Sequence, residues 1–205
     1  LAYSLSKRNA FGGAEKITWK LFGSYEWQLG GTSETDKSLM NSYEMGTQLA
    51  IELPRFVAPF IHRRHLRFPA ATTFSINGDW QNRAKFFQRA TVGLGITYEW
   101  HKYGNALHEL NAFSLDYNKL ISTTAAFDTI RNNNPALYVS MRDQFVPSAS
   151  YTFTYNTAAH HRNPIWLQLS IKEAGNFTSA IYALAGRSLR EKDKELFNNP
   201  FAQYL

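Results

Sequence analysis

The chain of 205 residues contains no cysteine. That excludes a disulfide scaffold, thiolate metal sites and a cysteine nucleophile. It suits an oxidising compartment without establishing one. No apolar run reaches the eighteen or so residues that a transmembrane helix needs, and no signal peptide opens the chain. It begins Leu1-Ala2-Tyr3 with no initiator Met, and an upstream part is expected. Charged residues are scarce at 19%, with Lys+Arg 22 against Asp+Glu 16, while hydrophobic residues reach 44%. That balance excludes a disordered chain. The length suits one or two domains. No low-complexity segment and no fixed-period repeat divides the chain, so residues 1–205 read as a single domain.

What is abundant is aromatic. Tyr 11, Phe 15 and Trp 5 make up 15% of the residues, yet the mean hydropathy is −0.38. A chain both aromatic and polar needs elements with one apolar and one polar face.

The periodicity supplies them. From Ile17 to Gln28 the odd positions are apolar or Gly, and the even ones are polar except Phe22. This is period two, a strand with two distinct faces. Tyr43, Met45, Thr47, Leu49, Ile51 and Leu53 form a second row. Phe74, Ile76 and Trp80 form a third, and Val92, Leu94, Ile96, Tyr98 and Trp100 a fourth. Phe113-Leu115-Tyr117, Tyr151-Phe153-Tyr155 and Ile165-Leu167-Leu169-Ile171 continue the pattern, and Leu1, Tyr3 and Leu5 look like one more strand. About eight strands result. Between 122 and 134 the alternation stops, and Thr124 to Arg131 reads as a short helix closed by Asn134-Pro135. The stretch 175–200, charged from Arg187 to Lys194, reads as irregular and solvated.

Two-faced strands fit a soluble sandwich or lipocalin-like barrel with the apolar rows inside, or a membrane barrel with them outside. Three features favour the membrane barrel. The best rows are near twelve residues long, where a membrane strand needs about 9–11 and soluble strands average about 5–6. The rows end in aromatics, at Tyr25/Trp27, Trp80, Tyr98/Trp100 and Tyr117, as interfacial girdles do. The opposite face is carboxylate, amide, hydroxyl and Gly. Gly93 and Gly95 on it would let strands bend or side chains approach across the barrel.

Several clusters invite a chemical reading. His62-Arg63-Arg64-His65 lacks a nearby third metal ligand and reads as a basic turn touching lipid headgroups or acidic partners. His160-His161-Arg162 reads the same way, and His101 and His108 flank a turn as interfacial residues. Glu26, Glu44, Glu52, Asp79, Glu99 and Asp116 fall on the inner face, where Lys20, Lys172 and Arg142 could partner them. Paired carboxylates can serve a glycosidase, but these are spread over several strands with no shared motif. No Ser has a nucleophile-elbow context. Gly93-Leu94-Gly95 lies inside a strand with no helix after it, unlike a dinucleotide loop. The expectation is therefore no enzyme, catalytic residue, cofactor or metal. The +6 charge would suit nucleic acid, but the aromatics align with the apolar rows and not with a basic face, so no nucleic-acid partner is expected.

Several motifs carry a family likeness. Arg8-Asn9-Ala10-Phe11-Gly12-Gly13-Ala14-Glu15 precedes a strand ending Gly23-Ser24-Tyr25-Glu26-Trp27-Gln28. Leu53-Pro54-Arg55-Phe56 is followed by Pro59-Phe60. Gly95-Ile96-Thr97-Tyr98-Glu99-Trp100, Phe113-Ser114-Leu115-Asp116-Tyr117, Asn134-Pro135 and Asp143-Gln144-Phe145-Val146-Pro147 follow in order. Their order and spacing resemble the barrel of BamA/TamA-type outer-membrane assembly proteins, most closely the TamA-like lipoproteins of Bacteroidetes, the bacterial surface antigen family. The resemblance implies an antiparallel, up-and-down transmembrane β-barrel of sixteen strands, of which this chain would hold about half. A closed eight-stranded barrel is the geometric alternative. It implies a place in the cell outer membrane of a Gram-negative bacterium, and a role in inserting or exporting outer-membrane and surface proteins by strand pairing. Outer-membrane lipid, client proteins and periplasmic partner proteins are the implied partners. Segments 30–41, 120–140 and 175–200 would lie outside the cell, and 8–16, 54–69, 101–105 and 158–163 would be periplasmic turns. A porin-like transport barrel and a soluble ligand-binding barrel are the alternatives.

Overall fold

The computed structural model describes residues 1–28, 40–58, 69–83, 86–102, 105–157, 163–175, 195–196 and 199–200. Its strands are β1 (Ala2–Arg8), β2 (Lys16–Gln28), β3 (Met40–Leu53), β4 (Ala70–Arg83), β5 (Phe87–Lys102), β6 (Ala106–Thr123), β7 (Gln144–Asn156) and β8 (Trp166–Ala174). Helices α1 (Ala125–Asn133) and α2 (Pro135–Ser140) separate β6 from β7. A two-residue pair, β9 (Glu195–Leu196) with β10 (Asn199–Pro200), follows.

The first eight strands form one sheet in chain order, each antiparallel to the next. The alternation along the sequence becomes two faces, because register keeps like opposite like. Leu5, Trp19, Leu49, Ile76, Leu94, Leu115 and Pro147 stand in one row across seven strands. On the other face Ser6, Thr18, Ala50, Ser75, Gly95, Ser114, Ser148 and Ala174 form a row of small residues across all eight. A one-residue slip of any strand would send its apolar set to the wrong face, so the pattern pins the register.

The expected all-β, up-and-down architecture is present, with the expected eight strands. The sheet is open and does not close on itself. The closed eight-stranded alternative is therefore not what the chain adopts. Strands β2 to β7 run 13 to 18 residues, longer than their alternation suggested.

The turn between β1 and β2 is built from backbone that few residues tolerate. Asn9, Gly12 and Ala14 have φ of 53°, 87° and 64°. Asn9 suits the left-handed region and Gly12 enters it freely, whereas Ala14 adopts it against its Cβ. Hydrogen bonds hold the strain. Ala14 N–H donates to Asn9 Oδ1 at 3.0 Å, Gly13 N–H to Glu15 Oε2 at 2.8 Å, and Ala10 N–H to Glu15 O at 3.1 Å. Backbone N–H groups, first its own and then that of Gly13, hold the Glu15 carboxyl below its usual range, and Arg55 adds to this. A lowered carboxyl stabilises the fold above its unfolded-state pKa, and the contribution disappears as pH falls through the folded one. The turn therefore loosens on acidification.

One strand is irregular. In β6, Ala112 and Phe113 together oppose Ala149 of β7, and the pairing with β5 shifts between Ile96 and Thr97. This is a β-bulge. The Asn111 side-chain amide, oriented with its nitrogen toward the two carbonyls, donates to Ile96 O at 3.2 Å and Phe113 O at 3.0 Å. Two carbonyls that border the bulge thereby gain a donor.

Between β6 and β7, Thr124 caps α1 by accepting from Phe127 N–H at 3.3 Å. Asn134 then caps α2, accepting from Ala136 and Leu137 N–H, with Pro135 in the first turn. Phe127 is buried against Phe86 and Phe87 at the β4–β5 turn, with ring centroids 6.3 and 5.2 Å away. The expected helix is present. Asn134-Pro135 closes it, as expected, and also opens a second one.

Candidate functional site

The candidate site is a surface and not a pocket. A cleft of about 120 Å³ between Asn82, Phe86, Phe87 and Thr124 is small beside the roughly 300–1,000 Å³ of small-molecule sites. The exposed area is elsewhere. Leu5, Trp19, Leu49, Ile76 and Leu94, all in one row, are 39–56% exposed. On β8, Leu167, Leu169 and Ile171 are 45–69% exposed. Among the described residues the buried hydrophobic side chains are Phe127 and Ala174, apart from Pro147. Most of the apolar face is left exposed by the described residues, although Pro147 in its central row is buried.

Several polar groups on that face have partners. Trp19 Nε1 donates to Thr47 Oγ1 at 2.8 Å, and Thr47 donates on to Lys20 O at 3.2 Å. His108 Nδ1 and the Tyr151 hydroxyl are 2.7 Å apart, with the His108 ring stacked on Trp100 at 5.1 Å. Thr72, 0% exposed, accepts from Val57 N–H at 3.0 Å and donates to Arg55 O at 2.8 Å. These bonds strap residues 55–57 back over the apolar face. Phe56 stacks on Tyr98 at 4.5 Å, and the Tyr98 hydroxyl donates to Val57 O at 3.0 Å. The aromatics gather toward the strand ends. Tyr98, Trp100, His108, Tyr151 and Phe153 lie at one end, and Tyr25, Tyr43, Trp80 and Tyr117 at the other.

The polar face is the more enclosed. Gly46, Gly93, Ser148 and Ala174 on it are buried. Glu26, Glu44, Glu52, Asp79, Glu99 and Asp116 all fall on this face, as the alternation predicts. Two of them form ion pairs. Lys16 Nζ is 3.4 Å from Glu52 Oε2, and Arg83 Nη1 is 3.3 Å from Glu26 Oε2, reaching across β3 where Ser42 leaves room. Lys16 and Arg83 were not among the expected partners Lys20, Lys172 and Arg142, of which Lys172 lies near enough to Asp116 for its charge to act on it. Both pairs are half-exposed, so each contributes at most about 1 kcal/mol. Thr91 Oγ1 donates to Asn118 Oδ1 at 2.8 Å, and Arg89 Nη2 donates to Gln81 Oε1 at 3.1 Å. The carboxylates stay distributed over the strands. Among the described residues no three His, Asp or Glu side chains are placed to hold a metal.

Gly93 does let side chains approach, but from the neighbouring strands. A Cβ there would meet Asp116 Oδ1 and the Asn77 amide, whereas one at Gly78 on the apolar face would meet nothing within 4 Å. Gly93→Ala is expected to cost about 1–2 kcal/mol, because Asp116 and Asn77 must both give way. Gly78→Ala should be neutral or stabilise by up to about 1 kcal/mol. Denaturant midpoints of the two variants check the contrast.

His101 is the last but one residue of β5 and His108 the third of β6, on either side of the turn as expected. His62-Arg63-Arg64-His65 and His160-His161-Arg162 lie outside the described residues. Sequence reasoning did not single out Thr72 or Asn111, and it read Phe56 only as part of a turn motif. The signal available for Thr72 was a hydroxyl standing in an apolar row.

No family model, curated protein or solved structure matches the chain.

Proposed function

We propose that the chain is part of a transmembrane β-barrel in a Gram-negative outer membrane, of the BamA/TamA type and with sixteen strands when complete. In this reading it assists the insertion or export of outer-membrane and surface proteins. The membrane half of the reading rests on one observation, the largely exposed apolar face of the sheet. In water such a face would drive aggregation, and in hydrocarbon it is at home. The hydrogen-bonded Trp19–Thr47, Thr72–Arg55 and His108–Tyr151 groups fit the same medium, since unsatisfied polar atoms are costly in lipid. Strands of 13 residues and more exceed what a tilted crossing requires. The soluble reading needs the apolar rows covered, whereas Leu5, Trp19, Leu49, Ile76 and Leu94 are exposed.

The assembly half rests on the family likeness of the turns and strand ends. A substrate strand would add to an open sheet edge through backbone hydrogen bonds, with neither nucleotide nor cofactor. The polar face, tied by ion pairs and hydroxyls, would line the lumen and shape it. The test uses the complete protein in vesicles and follows the folding of a client β-barrel. An assembly factor speeds client insertion several-fold and conducts little. Steady, large ion conductance with no gain in client folding would instead make it a transport barrel.

A further inference from the structure

The polar face is uneven at the end where β2 leads to β3 and β4 to β5. Short and long side chains alternate there from strand to strand. Ser24 on β2 is in register with Glu44 on β3, Glu44 with Gln81 on β4, and Glu26 with Ser42. The two serines leave a shallow trough rimmed by Glu26, Glu44, Gln81 and Arg83. Several of its long arms are tethered. Arg83 Nη1 reaches Glu26 Oε2 at 3.3 Å, and Arg89 Nη2 donates to Gln81 Oε1 at 3.1 Å. Ser42 and Glu44 are half-buried in the floor and wall.

An aromatic ring borders the trough. Phe22 is the apolar exception among the even positions of β2, and the next residue on its face is Ser24. Ala2 on β1 and Gly46 on β3 stand beside it in register, so neither neighbour crowds it. A Cβ at Gly46 would run into the Phe22 ring, which leans over that glycine. The ring is nevertheless 36% exposed. It cannot serve the apolar face, which lies on the other side of the sheet.

The chemistry of the lining narrows the ligand. Glu26 and Glu44 accept hydrogen bonds, Arg83 and the Gln81 amide donate them, and the Ser24 and Ser42 hydroxyls do both. Two carboxylates against one guanidinium disfavour an anion. A peptide strand is disfavoured too, because the backbone of β3 beneath the trough is already paired with β2 and β4 and offers no edge to augment. What matches is a neutral ligand dense in hydroxyls, each both donor and acceptor, with a flat apolar face as well. A pyranose ring has these features. Its C–H face suits the negative face of an aromatic ring.

We propose that this trough binds neutral saccharide, with Glu44 and Gln81 bonding sugar hydroxyls and Phe22 stacking on the face of a sugar ring. The inference goes beyond the assembly reading and does not rest on it. The trough lies on the polar face, whichever medium covers the apolar one.

The test is calorimetric titration of the folded full chain, in a detergent without a sugar headgroup. The probes are neutral hexasaccharides of glucose, mannose, galactose and N-acetylglucosamine. Saturable binding of at least one of them is expected. Glu44→Gln should weaken it roughly tenfold, through loss of a charge-assisted hydrogen bond. Phe22→Leu should weaken it several-fold, and Phe22→Tyr should retain it. Glu99→Gln, on the same face at the far end of the sheet, should leave it unchanged. Thermal midpoints of the variants verify that each is folded. If none of the four hexasaccharides binds, the proposal is overturned. Binding that survives both Glu44→Gln and Phe22→Leu, or that Glu99→Gln weakens equally, overturns the assignment to this trough. Binding of a glucosamine hexasaccharide without binding of its N-acetylated counterpart overturns hydroxyl recognition in favour of simple charge attraction.

Discussion

Leu94→Arg is expected to destabilise the chain by about 2–4 kcal/mol in a bilayer. Leu94 stands in the middle of the apolar row, between Ile76 on β4 and Leu115 on β6, and is 48% exposed. Ile96, Tyr98 and Trp100 separate it from one end of β5, and Val92 and Ala90 from the other. A guanidinium there cannot reach headgroups without bending the lipid around it. The same substitution at a water-exposed site is worth less than about 0.5 kcal/mol. The two media therefore give different answers at one residue. Urea titrations of the folded chain in vesicles, with and without the substitution, measure the difference. A midpoint that does not move would remove lipid from the apolar face and end the membrane reading.

Thr72→Val should cost about 1–3 kcal/mol, although it conserves shape and lies far from Leu94 along the sheet. The hydroxyl is the only group that ties Arg55 O and Val57 N–H to β4 in this strap, and it is fully buried. Replacing it with a methyl leaves both backbone groups without that partner. The loss should be local as well as global. Phe56 lies on Tyr98 because residues 55–57 are held down, so the Tyr98 environment should change with the substitution. Amide hydrogen exchange at Val57 reports the strap directly, and Thr72→Ser should preserve its protection. If Val57 exchanges at the same rate in the Val variant, the strap does not depend on this hydroxyl.

The strands were legible because each keeps one face apolar over many residues, and period two survives without any knowledge of partners. Their lengths were less legible, for reasons that particular residues show. In β6 the apolar positions are even at His108 and Leu110 and odd at Phe113, Leu115 and Tyr117, because the bulge at Ala112–Phe113 shifts the parity. Read as strict alternation, the first half of the strand disappears. In β7, Pro147 argues against a strand interior. It is tolerated because ladder pairing with β8 starts only at Ser148, and on that side Pro147 uses its carbonyl, which accepts from Gly175 N–H at 2.8 Å. At Asn134-Pro135 the same two residues end one helix and begin the next, and a sequence shows only the stop.

The candidate site divides along the same line. Which side chains share the polar face follows from parity, and Glu26, Glu52 and Asp116 are where parity puts them. Which charges meet does not follow, because cross-strand neighbours depend on register and on reach. Glu26 meets Arg83 from two strands away, over a serine, and no spacing along the chain encodes that. The strap over Tyr98 was hidden for a related reason. Arg55 and Val57 contribute backbone atoms, which carry no residue-specific signature.

The strictly neighbour-to-neighbour order of the sheet also bears on how it forms. Every strand pairs with those before and after it in the chain, so the search at each step is short and each completed hairpin presents an edge on which the next strand can zip. The β4–β5 and β5–β6 connections need only three residues each, whereas β6 and β7 are joined by 20. Closing the longer loop costs only about 1.7 kcal/mol more in chain entropy, but it is the one junction in the middle of the sheet where ordering must wait for two capped helices. Strands β4 to β6 are thus placed to act as the nucleus, and β7 and β8 to add once α1 has packed Phe127 onto the β4–β5 turn.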